Sequence, residues 1–82
     1  MYVIKDLQFE NRYFSGVFDT KREALQALVN YHSSDCNMGF ANRLLVRDEL
    51  DTLEEVMGCF EWELVRIKSS GIDKWKHICY RK

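Results

Sequence analysis

Apolar and polar positions alternate over residues 1–19 with the period of two that is typical of β-strands. The opening MYVIKD places Tyr2 and Ile4 on one face, and RYFSGVFD at residues 12–19 is rich in aromatic and β-branched side chains. Between these stretches, Asn11 can take the left-handed conformation of a turn at little cost. The pattern predicts a β-hairpin.

The period changes to about 3.6 residues after Asp19, which indicates an amphipathic helix. Thr20 and Glu23 have the spacing of a capping box, in which each side chain bonds a backbone N–H that the first helical turn leaves unpaired. We expect the helix to end in the polar stretch before Gly39. Its buried side should carry Ala24, Leu25, Leu28, Val29 and His32.

A second amphipathic stretch covers residues 41–60. Its apolar positions are separated by four, three, four and three residues: Val46, Leu50, Leu53, Met57 and Phe60. One continuous helix that ends near Gly58 explains this spacing best. An alternative stays open, because Thr52 and Glu55 repeat the capping-box spacing, and the segment can also break near Asp51 into a turn and a shorter second helix.

Residues 61–68 and 73–81 are rich in β-branched and aromatic side chains, and the small residues between them suit a hairpin loop. Both phases of the first stretch are apolar, which predicts either a strand covered on both faces or a bulge near Leu64. The resulting order is ββααββ. We therefore predict an α+β fold, with a four-stranded antiparallel sheet and two helices packed on one face.

Length and composition indicate one folded domain over residues 1–82. A chain of this size supports a single core, and 46% apolar content excludes disorder. The formal charge of −1 provides no global attraction to nucleic acid or to anionic membranes. No apolar run has the length of a membrane span, and the three cysteines do not form a paired framework, so we expect a cytoplasmic protein with reduced thiols.

The strongest charge feature is a run of seven carboxylates, with no lysine or arginine, between Asp48 and Glu63. On the continuous-helix model, four of them lie opposite the apolar side and form an acidic ridge: Asp48, Asp51, Glu54 and Glu55. Such a ridge is commonly just a solvated helix face. Its functional interpretation is a surface that meets a basic partner, where carboxylates take the place of phosphates.

The charge reverses after Arg66, and the last nine residues, KWKHICYRK, mix cations with aromatic rings. This composition suits a nucleic-acid-binding strip in which bases stack on rings and cations neutralise phosphates. The structural alternative is a terminal edge strand whose cations prevent aggregation. The residues that would bind nucleic acid are Lys74, Trp75, Lys76, Tyr80 and Arg81.

Motifs for catalysis and for cofactors are missing from the sequence. Five potential zinc ligands lack the spacing of a zinc site: His32, Cys36, Cys59, His77 and Cys79. The four glycines are isolated, which excludes a glycine-rich phosphate loop. We therefore expect no metal, no cofactor and no enzymatic activity, with a small enzyme or metal-binding domain as the second alternative.

The segments SGVFDTKREALQALVNYHSSD and FEWELVRIK resemble small accessory proteins of bacterial phages and other mobile elements. The resemblance covers most of the chain, carries no active-site motif and assigns no residue a role. It implies a broad group of proteins that includes anti-CRISPR proteins. These commonly act by stoichiometric binding to a nuclease or its nucleic-acid groove, and they often use acidic surfaces.

The sequence thus favours a non-catalytic binding protein whose partner is another protein with a basic surface. An inhibitor of a host nucleic-acid-binding defence protein fits this description. The first alternative is a nucleic-acid-binding module that uses the C-terminal hairpin. A net charge near zero, an edge strand and many aromatic residues are also compatible with a homodimer.

Overall fold

A computed structural model describes residues 1–8, 12–14, 16–32, 38–71 and 73–75. Strands at the start and near the end of this part of the chain flank three α-helices. The elements are β1 (Tyr2–Asp6), β2 (Arg12–Tyr13), α1 (Lys21–Tyr31), α2 (Met38–Val46), α3 (Leu50–Cys59), β3 (Trp62–Arg66) and a 3-10 turn (Ser69–Gly71). The α+β class predicted from the sequence is therefore confirmed.

The sheet is antiparallel with the order β2-β1-β3, so β1 is its central strand. The predicted N-terminal hairpin is present, although β2 contains only two ladder residues. The chain leaves the ladder near Gly16, whose φ of 126° suits glycine, and rejoins β1 through a bridge between Phe18 and Tyr2. This interruption shortens the second strand of the hairpin.

The two faces of the sheet bury different side chains because neighbouring residues of a strand point in opposite directions. Ile4 and Leu64, which pair across β1 and β3, pack with the core formed by the three helices. Val3 and Val65 pair on the other face, where they pack with Ile67. The register of β1 with β3 is continuous from Tyr2 to Asp6, so β3 has no bulge. The two clusters show that β3 is covered on both faces.

Helix α1 begins as the sequence predicts. Thr20 is its N-cap, and its Oγ1 accepts the backbone N–H of Glu23 at 3.1 Å. The carboxylate of Glu23 accepts the N–H of Asp19 at 3.3 Å, one residue earlier than a standard capping box requires. No helix within the described ranges has both the length and the apolar character needed to cross a membrane.

The prediction of one helix over residues 41–60 is wrong. Helix α2 ends at Val46, and α3 begins at Leu50 with Glu49, rather than Thr52, as its N-cap. Asp48 has a φ of 60°, and the N–H groups of Asp48 and Glu49 bond back to α2. This is the Schellman geometry that ends a helix. The alternative prediction placed a break near Asp51, and the observed break at Asp48 lies three residues before it. Val46 is therefore 75% exposed, whereas the continuous helix would bury it.

The prediction of a fourth strand over residues 73–81 is also wrong as far as the chain is described, because the sheet there has three strands and residues 73–75 are helical. The indole ring of Trp75 packs edge-to-face on Tyr13, with ring centroids 5.0 Å apart, and joins the cluster around Val3. This packing lays the segment over the second face of the sheet instead of extending its edge. Residues 76–82 lie outside the described residues.

Candidate functional site

The acidic ridge predicted from the sequence lies beside the start of α1. Asp48 is in the link between α2 and α3, whereas Asp51, Glu54 and Glu55 are on α3. The ridge therefore belongs to a link and a separate helix, and not to one long helix. Its position brings it next to the first two residues of α1, Lys21 and Arg22, which are both basic.

Lys21 joins α1 to two carboxylates of the ridge. Its Nζ lies 2.8 Å from Glu54 Oε1 and 3.4 Å from Asp51 Oδ1. The hydrogen bond to Glu54 is the main reason that the pKa of Lys21 is raised above its ordinary value of 10.5. The shorter distance identifies Glu54 as the principal partner of Lys21.

Arg22 holds the link between α2 and α3. Its Nη1 donates to Asp48 Oδ1 and to the backbone oxygen of Leu45, each at 2.8 Å. The second acceptor is one of the last carbonyl groups of α2, and it also accepts the N–H of Asp48 at 3.1 Å. Asp48 thus has a structural role, because its backbone turns the chain and its side chain receives the guanidinium group that caps α2.

These contacts divide the four predicted carboxylates into two pairs. Asp48 and Glu54 each form a 2.8 Å ion pair within the chain. The side chain of Asp51 is 99% exposed, and its one ion pair with a described residue is the longer contact with Lys21. Glu55 is exposed and forms no ion pair with any described residue. Asp51 and Glu55 are four residues apart and share one side of α3, so they form the open part of the ridge.

Of the five C-terminal residues proposed to bind nucleic acid, the structure describes two. Lys74 is exposed, while Trp75 is half-buried against Tyr13 and the sheet. A base-stacking platform needs an open ring face, and the packing of Trp75 on the sheet instead indicates a structural role for this ring. The other three residues lie outside the described part of the chain: Lys76, Tyr80 and Arg81.

A cavity of about 430 Å³ lies where α1 and α3 end and β3 begins. Sequence reasoning did not predict it. Helix α1 contributes its last residue and its C-cap, the end of α3 contributes three residues, and the facing ends of β1 and β3 complete the wall. The residues that line it are Asp6, Gln8, Tyr31, His32, Cys59, Phe60, Glu61 and Trp62.

Contacts between aromatic rings fix the shape of this cavity. Trp62 donates its indole N–H to Nε2 of His32 at 2.8 Å, which joins β3 to the end of α1. The ring of His32 also lies 5.1 Å from that of Phe60, between centroids. Tyr31 packs edge-to-face on Trp62 at 5.9 Å and remains 62% exposed. The sequence assigned His32 to a helix end, which is correct, but did not indicate which residues it contacts.

Cys59 and His32 line the same cavity, so a Cys–His nucleophile has to be considered. Such a site needs a hydrogen bond from the thiol to an imidazole nitrogen that acts as the base. Cys59 and His32, both described residues, form no hydrogen bond with each other, and Nε2 of His32 already accepts the Trp62 N–H. The arrangement therefore lacks the contact that would activate the thiol.

The described residues contain no group of three or more His, Cys, Asp or Glu side chains placed to hold a metal ion. Two of the five potential zinc ligands, His32 and Cys59, lie within the described ranges, and both line the cavity. The other three lie outside those ranges: Cys36, His77 and Cys79.

Comparison of the chain with protein-family models, with curated proteins and with solved structures finds no match. The ridge and the cavity are therefore the features of the chain that bear on its function.

Proposed function

We propose that the chain is a non-catalytic binding protein that engages the basic surface of another protein. The open part of the acidic ridge carries this proposal. The carboxylate of Asp51 is 99% exposed, and Glu55 lies one helical turn further along the same side of α3. Exposed carboxylates of this kind attract a basic partner over several ångströms and help to orient it.

The partner proposed is a nucleic-acid-binding protein, because its basic groove is complementary to carboxylates in the positions of phosphates. The resemblance to accessory proteins of phages and mobile elements supports an inhibitor of a host defence protein, of the anti-CRISPR kind. Direct binding of nucleic acid has less support, since phosphates would be repelled by the ridge and Trp75 is packed against Tyr13.

Charge reversal at the open carboxylates tests the proposal. Affinity capture with the wild-type chain identifies the partner, and its affinity is then measured for the variant Asp51→Arg/Glu55→Arg. We expect an affinity at least about tenfold weaker, and wild-type binding that weakens with added salt, as for exposed charge pairs. The matched control is Asp19→Arg/Glu63→Arg, which makes the same change in net charge at exposed positions outside the ridge.

The control pair should bind the partner within about twofold of the wild type, because only long-range charge changes. Equal affinities for the ridge variant and the wild type would show that the ridge is not the contact surface. Both variants need a thermal unfolding profile close to that of the wild type, since a partly unfolded variant would lose affinity for another reason.

A further inference from the structure

The cavity at the ends of α1 and α3 has the electrostatic character of a cation site. The two helices run side by side in the same direction, because Lys21 contacts Asp51 near their starts and His32 contacts Phe60 at their ends. The C-terminus of a helix carries partial negative charge. Both C-caps, His32 and Phe60, line the cavity, and neither helix has a basic residue in its last turn.

Two carboxylates add full negative charge to the same wall. Asp6 ends β1, and its Oδ1 accepts the N–H of Gln8 at 2.9 Å. Glu61 follows α3, and its backbone oxygen accepts the N–H of Leu7 at 2.9 Å. No lysine or arginine is among the described residues that line the cavity. Arg12, which lies opposite Asp6 in the β1–β2 register, is outside this lining.

Three aromatic rings also line the cavity, those of Tyr31, Phe60 and Trp62. The negative face of an aromatic ring attracts a cation within about 6 Å of the ring centre, and tryptophan does so best. The rings are held in fixed orientations by their mutual contacts and by the hydrogen bond between Trp62 and His32. Such a wall needs little reorganisation to receive a ligand.

We propose that this cavity binds the guanidinium group of an arginine side chain from the basic partner protein. The inference rests on the proposed function for the source of the arginine. Arginine fits better than lysine, because its planar group stacks on aromatic rings and pairs with carboxylates through two parallel hydrogen bonds. The cavity is then an anchor for the partner, while Asp51 and Glu55 attract it at the other end of the paired helices.

A titration followed by NMR tests the anchor directly. The probes are the blocked tripeptides Gly-Arg-Gly and Gly-citrulline-Gly. They differ in one side chain, in which a urea oxygen replaces a guanidinium nitrogen and removes the charge. The two indole N–H signals of the wild type are assigned with Trp62→Phe and Trp75→Phe. We expect the arginine peptide to shift the Trp62 signal in a saturable manner, and the citrulline peptide to bind about tenfold more weakly because its side chain is neutral.

Glu61→Gly removes one carboxylate of the cavity without disturbing the fold. Glu61 has a φ of 65°, in the left-handed region where glycine is favoured, so this variant should be at least as stable as the wild type. We expect it to bind the arginine peptide about threefold to tenfold more weakly. Asp19→Asn makes the same change in net charge before the start of α1, and its affinity should match the wild type.

Three results would overturn the cation site: equal binding of the two peptides, an unchanged Trp62 signal, or full affinity in Glu61→Gly. An arginine response confined to the amides around Asp51 and Glu55 would also overturn it, although the proposed function would stand. The opposite outcome is also possible to recognise: the arginine peptide shifts the Trp62 signal, but charge reversal at Asp51 and Glu55 leaves the partner affinity unchanged. That result would support the cavity as a binding site and reject the ridge as a contact surface.

Discussion

The indole N–H of Trp62 donates a 2.8 Å hydrogen bond to Nε2 of His32, thirty residues earlier in the chain. The bond links the first residue of β3 to the C-cap of α1. It also requires that Nε2 carries no proton, since the nitrogen acts as the acceptor. The same pair of side chains holds the aromatic wall of the cavity, so the end of α1 and the edge of the sheet are joined where the proposed ligand binds.

The energetic value of this bond follows from a double-mutant cycle. His32→Phe keeps an aromatic ring but removes the acceptor, so the free energy of unfolding should fall by about 0.5–1.5 kcal/mol. The same substitution in a Trp62→Phe background cannot remove the bond to Trp62 and should have a smaller effect. Urea unfolding of the four proteins gives the coupling energy. Effects that add to within about 0.3 kcal/mol would indicate that the bond contributes nothing measurable.

The parts of the fold that the sequence predicted correctly depend on local signals. Helix α1 is specified by its 3.6-residue period and by Thr20 and Glu23, which interact across three residues. Strands β1 and β3 are specified by alternation and by β-branched composition. The apolar character of both phases of β3 left two options open, coverage on both faces or a bulge near Leu64. Coverage on both faces is the one observed, since Leu64 packs on the helices and Val65 on the opposite side.

The errors arise from contacts that are distant in the sequence. The break between α2 and α3 depends on Asp48, which has a left-handed backbone and receives Arg22 from twenty-six residues away. A spacing pattern cannot reveal such a contact. Trp75 likewise has the β propensity that favoured a strand, but its packing on Tyr13 accompanies a helical turn. Tertiary packing overrides propensity in short segments of this kind.

The cavity was missed for a related reason. Its residues have ordinary positions in their own elements, and in the sequence His32 and Phe60 are simply the last positions of two apolar helical patterns. Their common location follows only when α1 and α3 are known to run in the same direction. A signal was available in part, because both apolar patterns end in a ring, at His32 and at Phe60, and Trp62 follows shortly after. It did not indicate that the rings would meet.

The break after α2 makes a prediction about Val46 and Leu53, which the spacing pattern had treated as equivalent. Val46 is 75% exposed, so Val46→Lys should change the free energy of unfolding by no more than about 0.5 kcal/mol. Leu53 is fully buried, and Leu53→Ala should reduce stability by about 2–5 kcal/mol because it leaves a cavity. Chemical denaturation of both variants provides the comparison. A loss of several kcal/mol in Val46→Lys would instead support the continuous helix.

The ion pair between Lys21 and Glu54 predicts a stability difference that depends on pH. The hydrogen bond to Glu54 raises the pKa of Lys21 above 10.5 in the folded chain, so the folded state holds this proton more tightly than the unfolded state. The resulting stabilisation is fully present below pH 10.5 and is lost as the pH rises through the folded value. For an exposed pair its size should be below about 1 kcal/mol.

Lys21→Met isolates this contribution because it keeps most of the aliphatic stem and removes the charge. The wild type should be more stable than Lys21→Met from neutral pH to about pH 10, and the difference should disappear once Lys21 is deprotonated in the folded state. In a Glu54→Gln background most of the difference should be absent at every pH, leaving only the weaker contact with Asp51. Unfolding curves at a series of pH values measure this difference in the free energy of unfolding. A difference that persists unchanged to about pH 12 would assign the effect to packing of the stem, since a neutral amine cannot form the ion pair.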